Sequence, residues 1–489
     1  MNNVATRVSS RHENARKPTE GCVTLLAMNR PLTLRSPRAR PQRNPSLQSR
    51  GWVPDSRGSL FATLMVWVLI VYLVVPNGYF TGGMDAGNDR GMADPNPILR
   101  TFKLGLLACG ALVVLWRGRL AWVEMRSLNP FFSIFLVLVP ASVLWSVDRS
   151  ATFNRYVSLI SIVSVCLAFT LTSWNRTRFQ DVVRPVLTAL LIASVVFGLL
   201  YPQYAIEVGE GTLKNSWRGL AVQKNQFGML SSFGVVFWLH AWFYDDKKWW
   251  VAFPCIALSL ECVLLSRSST ALLATTLSTV FMVLVMVAPS GLRRYMPYIV
   301  STFAVLVLIY ALAVLNIIPG SSVLLDPIAQ LSGKDLTFSN RAVIWDIIKE
   351  HIQLAPILGS GYGAYWTGPV PSSASYTFLG RMYFYPSQSH NGYLEVVNDL
   401  GFVGLICLLG YLVFWVRQSL QVMKFDRGQA LLFLALFFQQ AITNLSESTW
   451  FAINSGFAIA IATLATFSLS RALLERRLQQ HFRPPTQRG

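Results

Sequence analysis

The chain has 489 residues, of which 53% are hydrophobic and 13% are charged, and its mean hydropathy is +0.43. The charged share is about half the roughly 25% of a soluble globular protein, which excludes that class and indicates an integral membrane protein. The formal net charge is +19, but the aromatic residues lie mostly inside apolar runs, which argues against a nucleic-acid partner.

The N-terminal segment, residues 1–58, carries eleven Lys and Arg against three acidic residues and has no periodic apolar pattern. This composition predicts a disordered basic tail, which we favour over a segment that binds anionic lipid at the inner leaflet. The first apolar run follows the tail without a cleavage-site pattern, so we expect a retained anchor and not a signal peptide.

Apolar runs close to the roughly 20-residue spanning length predict about twelve transmembrane helices, and their lack of strict alternation argues against a barrel. The predicted helices lie near residues 60–76, 99–116, 130–145, 156–173, 185–203, 227–244, 249–266, 268–288, 297–315, 400–416, 430–447 and 451–470. We therefore expect an all-α integral membrane protein with five regions. These are a basic tail (1–58), nine helices (59–315), one large loop (316–399), three helices (400–470) and a second basic tail (471–489).

Lys and Arg are concentrated in one alternate set of short loops, which the positive-inside rule assigns to the cytoplasm. They are Arg117, Arg119, Arg126, Arg176, Arg178, Arg184, Lys247, Lys248, Arg293, Arg294, Arg417, Lys424, Arg427, and Arg471, Arg476, Arg477, Arg483 and Arg488 of the tail. Both termini are then predicted to be cytoplasmic, and the large loop is predicted to face the periplasm.

The large loop contains a segment, residues 339–353, whose apolar residues recur at helical spacing and predict an amphipathic helix with Ser339 as its cap. Arg341 falls in the first turn, where a cation is unfavourable to the helix dipole. A salt bridge to Asp335 or Asp346 would account for it, and so would a bound ligand.

Two other features of this loop predict structure and no ligand. The GSGYG glycines at residues 359–363 predict a turn, since no strand precedes them to make a nucleotide-binding fingerprint. Asp346 and Glu350 are four residues apart on the amphipathic helix, but no third ligand accompanies them, so no metal site is predicted.

His390 and Asn391 stand at the water-facing mouth of the apolar run that begins at Leu400. Imidazole, with an unperturbed pKa of about 6.5, suits a general base near neutral pH. We prefer His390 to His351, the other external histidine, because it alone stands at a helix mouth beside an amide that could orient it.

Several external cations run against the orientation rule. Arg218 and Lys224 precede the sixth predicted helix, and Arg267 lies in the tight turn between the seventh and eighth. Each singly could be a snorkelling interfacial residue, but together with Arg341 they suit a diphosphate at the membrane surface. Glu261, inside the seventh helix, is either a functional acid or a protonated, hydrogen-bonded one.

Nine residues separate Asn391 from Gly401, and Gly404 follows, where small residues let helices approach closely. This H-N, nine residues, G-x-x-G spacing is similar to the signature of the O-antigen ligase and polysaccharide polymerase superfamily. Three further stretches resemble it in order over roughly residues 140–410: RGLAVQKN, SRSS, and SNRAVIW followed by PILGSGYG. The chain departs from the pattern at Ser268, which replaces a smaller residue and makes Arg267 the least secure assignment.

The resemblance implies a fold like that of GT-C membrane glycosyltransferases and transfer of an undecaprenyl-diphosphate-linked glycan to an acceptor hydroxyl, without metal or cofactor. It implies a diphosphate-binding role for Arg218, Arg267 and Arg341, activation of the acceptor by His390, and support from Asn391, Lys224 and Glu395.

The expected activity is polymerisation of lipid-linked repeat units at the outer face of the bacterial inner membrane. An O-antigen ligase, which transfers the glycan to lipid A core or protein, is the alternative. A twelve-helix transporter or flippase is a more distant alternative. Such transporters often join two six-helix halves by a long cytoplasmic loop, whereas the longest loop between the predicted helices here is periplasmic, and no repeat is visible. The expected partners are the lipid-linked donor, an acceptor glycan and inner-membrane lipid, and a chain-length-regulating co-polymerase is a further candidate.

Overall fold

The computed structural model describes residues 56–76, 97–207, 215–245, 247–288, 294–314, 340–382, 385–452 and 455–481. The expectations about the tail before residue 56, Asp335 and Ser339 lie outside these residues.

Helices make up most of the described chain. They are α1 (Ser56–Val74), α2 (Pro97–Trp116), α3 (Gly118–Ser127), α4 (Pro130–Ala141), α5 (Arg149–Thr172), α6 (Arg178–Leu200), α7 (Lys224–Tyr244), α8 (Trp249–Leu265), α9 (Ser269–Val287), α10 (Met296–Val314), α11 (Asn340–Ile352), α12 (Gly392–Met423), α13 (Arg427–Thr443) and α14 (Gly456–His481). A short helix (Pro202–Ala205), two 3₁₀ turns (Ser142–Leu144 and Ala374–Gly380) and two antiparallel strands, β1 (Ile206–Glu207) and β2 (Ser216–Trp217), complete the description.

Seven of the described helices are long and apolar enough to cross a membrane, or eight if the bent pair α3–α4 forms one span. Three shorter apolar helices, within α1, α8 and α10, accompany them. The expectation of an all-α integral membrane protein is confirmed. The third predicted span, 130–145, corresponds to α4 and the 3₁₀ turn after it, but the segment before it, predicted to be a loop, forms α3, which meets α4 at an angle of 109° at a break that Asn129 and Pro130 create. Asn129 accepts hydrogen bonds from the first amides of α4, and Pro130 occupies its first position.

The centre of the bundle is α14, 94% of whose span is buried, against 22% for the peripheral α2. This helix continues past residue 470, where the sequence predicted the tail to begin. Arg471 is fully buried within it and pairs with the equally buried Glu124 of α3 at 3.4 Å. A buried cation of this kind is retained because its charge is paired and hydrogen-bonded.

Helix α12 begins at Gly392, before the predicted start at Leu400, and is broken at Gly401, whose φ is +64° and ψ −166°. The loop that contains GSGYG pairs with the backbone groups on both sides of this break. The bonds are Phe402 N to Pro356 O (2.9 Å), Val403 N to Ile357 O (3.2 Å), Ser360 N to Asn398 O (3.0 Å) and Gly361 N to Asp399 O (2.9 Å). The loop therefore satisfies the amides and carbonyls that the broken helix leaves without helical partners.

The sequence spacing suggested that Gly401 lets two helices approach closely. In the structure Gly401 instead lets the loop approach the break in α12. A Cβ at this position would lie 2.2 Å from the Ile357 carbonyl oxygen, in a backbone conformation that L residues rarely adopt. For Gly404, the nearest neighbours of a Cβ are Leu400 and Val396 of the same helix. The two glycines thus permit the break and its docked loop.

Gly401→Ala is expected to lower the midpoint of thermal unfolding in detergent by several degrees. The positive φ alone costs on the order of 1–3 kcal/mol, and the clash with Ile357 adds to it. The matched control is Gly105→Ala in α2, where no atom lies within 4 Å of the new Cβ and the midpoint should not fall. An unchanged midpoint for Gly401→Ala would contradict the assignment of this break.

Candidate active site

The N-terminus of α12 positions His390. Asn391 is fully buried and caps the helix, since its Oδ1 accepts hydrogen bonds from the amides of Tyr393 and Leu394, both at 3.0 Å. Its Nδ2 donates to the carbonyl oxygen of Leu445 at 3.3 Å. The amide of Asn391 therefore fixes the backbone, while His390 precedes it in a left-handed turn with φ +52°. The sequence predicted that the side-chain amide of Asn391 would orient the imidazole of His390. The hydrogen bonds described for that amide are to backbone groups instead.

The connection between α13 and α14 forms the other half of the site. Oδ1 of Asn444 accepts hydrogen bonds from the amides of Thr449 and Trp450 at 2.8 and 2.7 Å, which folds the connection back on itself. The amide of Gly392 donates to the carbonyl of Asn444 at 2.9 Å. A Cβ on Gly392 would lie 1.8 Å from Oδ1 of Asn444, so this close approach requires glycine.

Glu447 lies at the centre of the polar groups that this arrangement gathers. Its Oε1 accepts from Arg341 at 2.8 Å and from Nδ2 of Asn225 at 2.6 Å. Its Oε2 lies 3.5 Å from Nδ1 of His390 and 3.3 Å from Nε2 of Gln388. Residues from α7, α11, the turn before α12 and the α13–α14 connection thus meet at one carboxylate.

The electrostatics of Glu447 favour its charged form. Burial by itself would raise the pKa of this carboxyl, but the hydrogen bond from His390 and the charges of Arg341 and His390 outweigh burial. The net result is a pKa below the ordinary value. The side chains of both Arg341 and His390 keep 22% of their surface exposed, so Glu447 holds them at a surface that a substrate can reach.

Two more of the expected cations lie near this carboxylate. Lys224 is buried at the start of α7, and the charges of Glu447, Arg341 and Arg267 all act on its ammonium group. Arg267 lies in the turn between α8 and α9 with φ +49°. That turn is tied to the α13–α14 connection, because the Thr270 and Ser446 hydroxyls are 2.5 Å apart.

Arg218 is placed differently from the other three cations. It follows β2, and its guanidinium Nε donates to the carbonyl of Tyr204 at 2.7 Å. Its own amide donates to the carbonyl of Ala205 at 2.8 Å. Arg218 therefore stabilises the turn before β1, and its described contacts do not bring it to Glu447. The two regions share an edge, since Glu207 of β1 accepts from the amide of Lys224 at 2.9 Å.

Glu395 links the two halves of the site, since it accepts hydrogen bonds from the segment before α12 and from the α13–α14 connection. Its Oε2 accepts from the amide of Ser389 at 2.7 Å and from the hydroxyl of Ser448 at 3.4 Å, and its Oε1 accepts from the indole of Trp366 at 2.8 Å. Ser389 precedes His390, and Ser448 follows Glu447. Glu395 thus acts on the backbone that carries the two central residues and does not touch them.

The remaining candidates lie away from this carboxylate. His351 bonds through Nε2 to the hydroxyl of Ser360 at 2.7 Å and packs on Tyr365, and burial lowers the pKa of its imidazole. Glu261 is exposed on the outer face of α8. Glu350 pairs with Arg381 at 2.6 Å on the surface of the loop.

The metal candidates stay on the surface. Asp346 is 72% exposed and lies 3.7 Å from Lys349, so it is not the partner of Arg341. Within the described ranges, no group of three or more His, Cys, Asp and Glu side chains comes close enough to hold a metal ion.

Glu447 is the central residue that sequence reasoning missed. The sequence predicted that it ends an apolar helix, whereas α13 ends at Thr443 and Glu447 lies in the connection that follows. The available signal was an acidic residue at the end of an apolar run, which in a membrane protein usually marks a functional position.

Comparison with known proteins supports the same class of protein. The O-antigen ligase family profile matches residues 253–409, which include Arg267, Arg341 and His390. The exopolysaccharide production protein ExoQ of Rhizobium meliloti (strain 1021) is 27% identical over 340 residues, which cover 66% of this chain and 73% of that protein. The resemblance to the O-antigen ligase and polymerase superfamily is confirmed. Proteins of this superfamily are membrane proteins with glycosyltransferase-like ligase or polymerase activity.

Glu447→Gln is expected to reduce exopolysaccharide formation in a deletion strain at least tenfold while the protein still inserts in the membrane. The substitution keeps the shape of the side chain but removes the charge that holds Arg341 and His390, and truncating such a pair costs on the order of 2–5 kcal/mol. Glu350→Gln makes the same change at an exposed ion pair and should leave the yield unchanged. Equal yields from the two variants would remove Glu447 from the site.

Proposed function

We propose that the protein polymerises undecaprenyl-diphosphate-linked oligosaccharide repeat units into exopolysaccharide or O-antigen at the outer face of the bacterial inner membrane. The observation that carries the proposal is the Glu447 carboxylate, which holds an imidazole, His390, and a guanidinium, Arg341, at one surface. The likeness to a protein named for exopolysaccharide production supports a role in the synthesis of such a glycan.

The donor diphosphate is bound by Arg341 together with Lys224 and Arg267. The charges of Arg341 and Arg267 both act on the Lys224 ammonium group, so an anion that enters between them relieves this repulsion. The planar fork of Arg341 suits two oxygens of a diphosphate, while its other side remains on Glu447. Arg218 shapes the adjoining turn in this scheme and does not contact the leaving group.

His390 accepts the proton of the acceptor hydroxyl. With Nδ1 directed to Glu447, the ring presents Nε2 to the acceptor, and the carboxylate stabilises the imidazolium that forms. The acceptor oxygen then forms a bond to the anomeric carbon of the donor sugar. The bond from that carbon to the diphosphate breaks, and its electron pair leaves on the diphosphate oxygen, whose charge the three cations neutralise.

This scheme needs no metal ion, because cationic side chains take the role of neutralising the leaving group. Asp346 and Glu350, the carboxylates four residues apart in α11, stay on the exposed face and have cationic partners of their own. A co-polymerase that regulates chain length would act on the product and has no assigned contact in the site.

We place the site on the periplasmic side because the opposite set of loops is rich in Lys and Arg. The positive-inside rule assigns that opposite side, together with both termini, to the cytoplasm. The described part of the large loop, with α11 within it, then lies on the periplasmic side. An O-antigen ligase would use the same donor groups and differ in the acceptor that it admits, and a transporter would not require a base at this position.

The central test is transfer by the purified protein from lipid-linked repeat units in the presence of EDTA. The expected product of the wild type is a series of lipid-linked oligomers. His390→Ala should reduce it by about 10²–10⁴-fold, since it removes the base. His351→Ala is the matched control and should retain activity, because His351 bonds to Ser360 and not to the site.

Three outcomes of that assay would contradict the proposal. Oligomers at the wild-type rate from His390→Ala would exclude the base, and loss of wild-type activity in EDTA would exclude metal-independent transfer. A wild type that forms no oligomers but transfers the glycan to added lipid A core would be a ligase.

Replacement of Arg341 by Lys should reduce the rate almost as far as replacement by Ala, at least tenfold. Lysine keeps the charge but cannot bridge Glu447 and two diphosphate oxygens at once. The matched control is Arg381→Lys, which changes an exposed arginine of the same loop whose partner is Glu350, and should have no effect. A fully active Arg341→Lys variant would limit Arg341 to a general electrostatic role.

A further inference from the structure

A groove of about 600 Å³ opens between α10, α12 and α13 along the side of the helix bundle. Most of its walls are apolar. Its apolar walls include Val305 of α10, Leu409, Val413 and Val416 of α12 and Phe437 of α13, and Tyr393 near the start of α12 also lines it. The groove is long, since Leu409 and Lys424 are fifteen residues apart and thus separated by roughly 22 Å along the helix.

One end of this groove is basic. Arg417 and Lys424 are seven residues apart in sequence and both line the groove, with Gln421 between them. This spacing places them on the same face of α12, and both are exposed. Pro297, at the start of α10, lines the groove as well. The apolar channel therefore leads to two cations at the end of α12 that lies farthest from His390.

We propose that this groove binds one membrane phospholipid with an anionic headgroup. Its hydrocarbon chain would lie along the apolar face of α12, and its headgroup phosphate would lie between Arg417 and Lys424. A basic pocket between transmembrane helices is the arrangement that recognises anionic headgroups on the cytoplasmic side of membranes. An apolar groove alone would take any lipid, so the charge at its end is what selects the class.

The position of the cations argues against the lipid-linked donor as the occupant. From Phe402 to Lys424 the helix rises about 33 Å, close to the whole hydrocarbon thickness of a bilayer. A donor whose diphosphate lies at Arg341 would have its charge at the opposite face from Arg417 and Lys424. The exclusion of the donor rests on the proposed position of its diphosphate, and Tyr393 near His390 also lines the groove, so a polyprenyl phosphate is measured separately from a phospholipid in the experiment that follows.

The test is native mass spectrometry of the full chain after extraction from nanodiscs that contain equal amounts of phosphatidylglycerol and phosphatidylcholine. The wild type should retain one phosphatidylglycerol. The double variant Arg417→Gln, Lys424→Gln should bind it about thirtyfold more weakly, since each basic residue near an anionic lipid contributes roughly fivefold. Val413→Trp, which fills the exposed groove without a change of charge, should also lose the lipid.

Two matched variants control for general effects. Arg119→Gln with Arg126→Gln removes two exposed charges of α3, and Val137→Trp enlarges an exposed residue of α4. Both should retain phosphatidylglycerol as the wild type does. Three outcomes would overturn the proposal. The first is equal retention of phosphatidylglycerol by the Arg417, Lys424 double variant, and the second is retention of phosphatidylcholine in its place. The third is a bound polyprenyl phosphate when the native membrane extract is measured.

Discussion

The site depends on one buried carboxylate, Glu447, that is shared by groups from distant parts of the chain. Taking this charge out of water is unfavourable, and only partners with good geometry can offset the penalty. Arg341, Asn225, Gln388 and His390 supply that offset. Because these partners come from three segments other than its own, the carboxylate also fixes how the four segments meet. A buried ion pair of this kind is weak evidence for stability and better evidence for specificity of arrangement.

The broken helix α12 makes this arrangement possible. A continuous helix through Gly401 would satisfy its own backbone and leave the GSGYG loop without partners. The break instead exposes amides and carbonyls that the loop pairs with, so that four backbone hydrogen bonds dock the loop against α12. Behind it, Asp399 accepts from the amide of Gly363 at 2.8 Å, and Arg155 donates to the carbonyl of Trp366 at 2.5 Å. Trp366 in turn donates to Glu395. The loop, the first half of α12 and the α13–α14 connection are therefore held as one unit beneath His390.

Sequence patterns predicted the membrane class and the positions of most spans, because each span must carry a long apolar run whatever its neighbours are. They did not predict the break at Gly401 or the bend at Asn129, which depend on a loop and a cap that pair with backbone groups. His390, Arg341, Arg267 and Lys224 were predicted because charge in or beside an apolar run is unusual. Glu447 carries the same signal, an acidic residue at the end of an apolar run, but its role depends on a contact with a residue more than 100 positions away, which no sequence pattern shows. Arg218 and Asn391 have predicted motif positions, but their contacts are with the backbone.

The most direct test of the central claim is a structure of the protein in nanodiscs with a lipid-linked diphosphate oligosaccharide bound. The account predicts a phosphate oxygen within about 3 Å of the Arg341 guanidinium. It also predicts that the first sugar faces His390 while Glu447 remains on Nδ1 of that ring. A diphosphate bound at the other end of α12, or bound at the same end but turned away from His390, would contradict the assignment of this cluster as the site of glycosyl transfer.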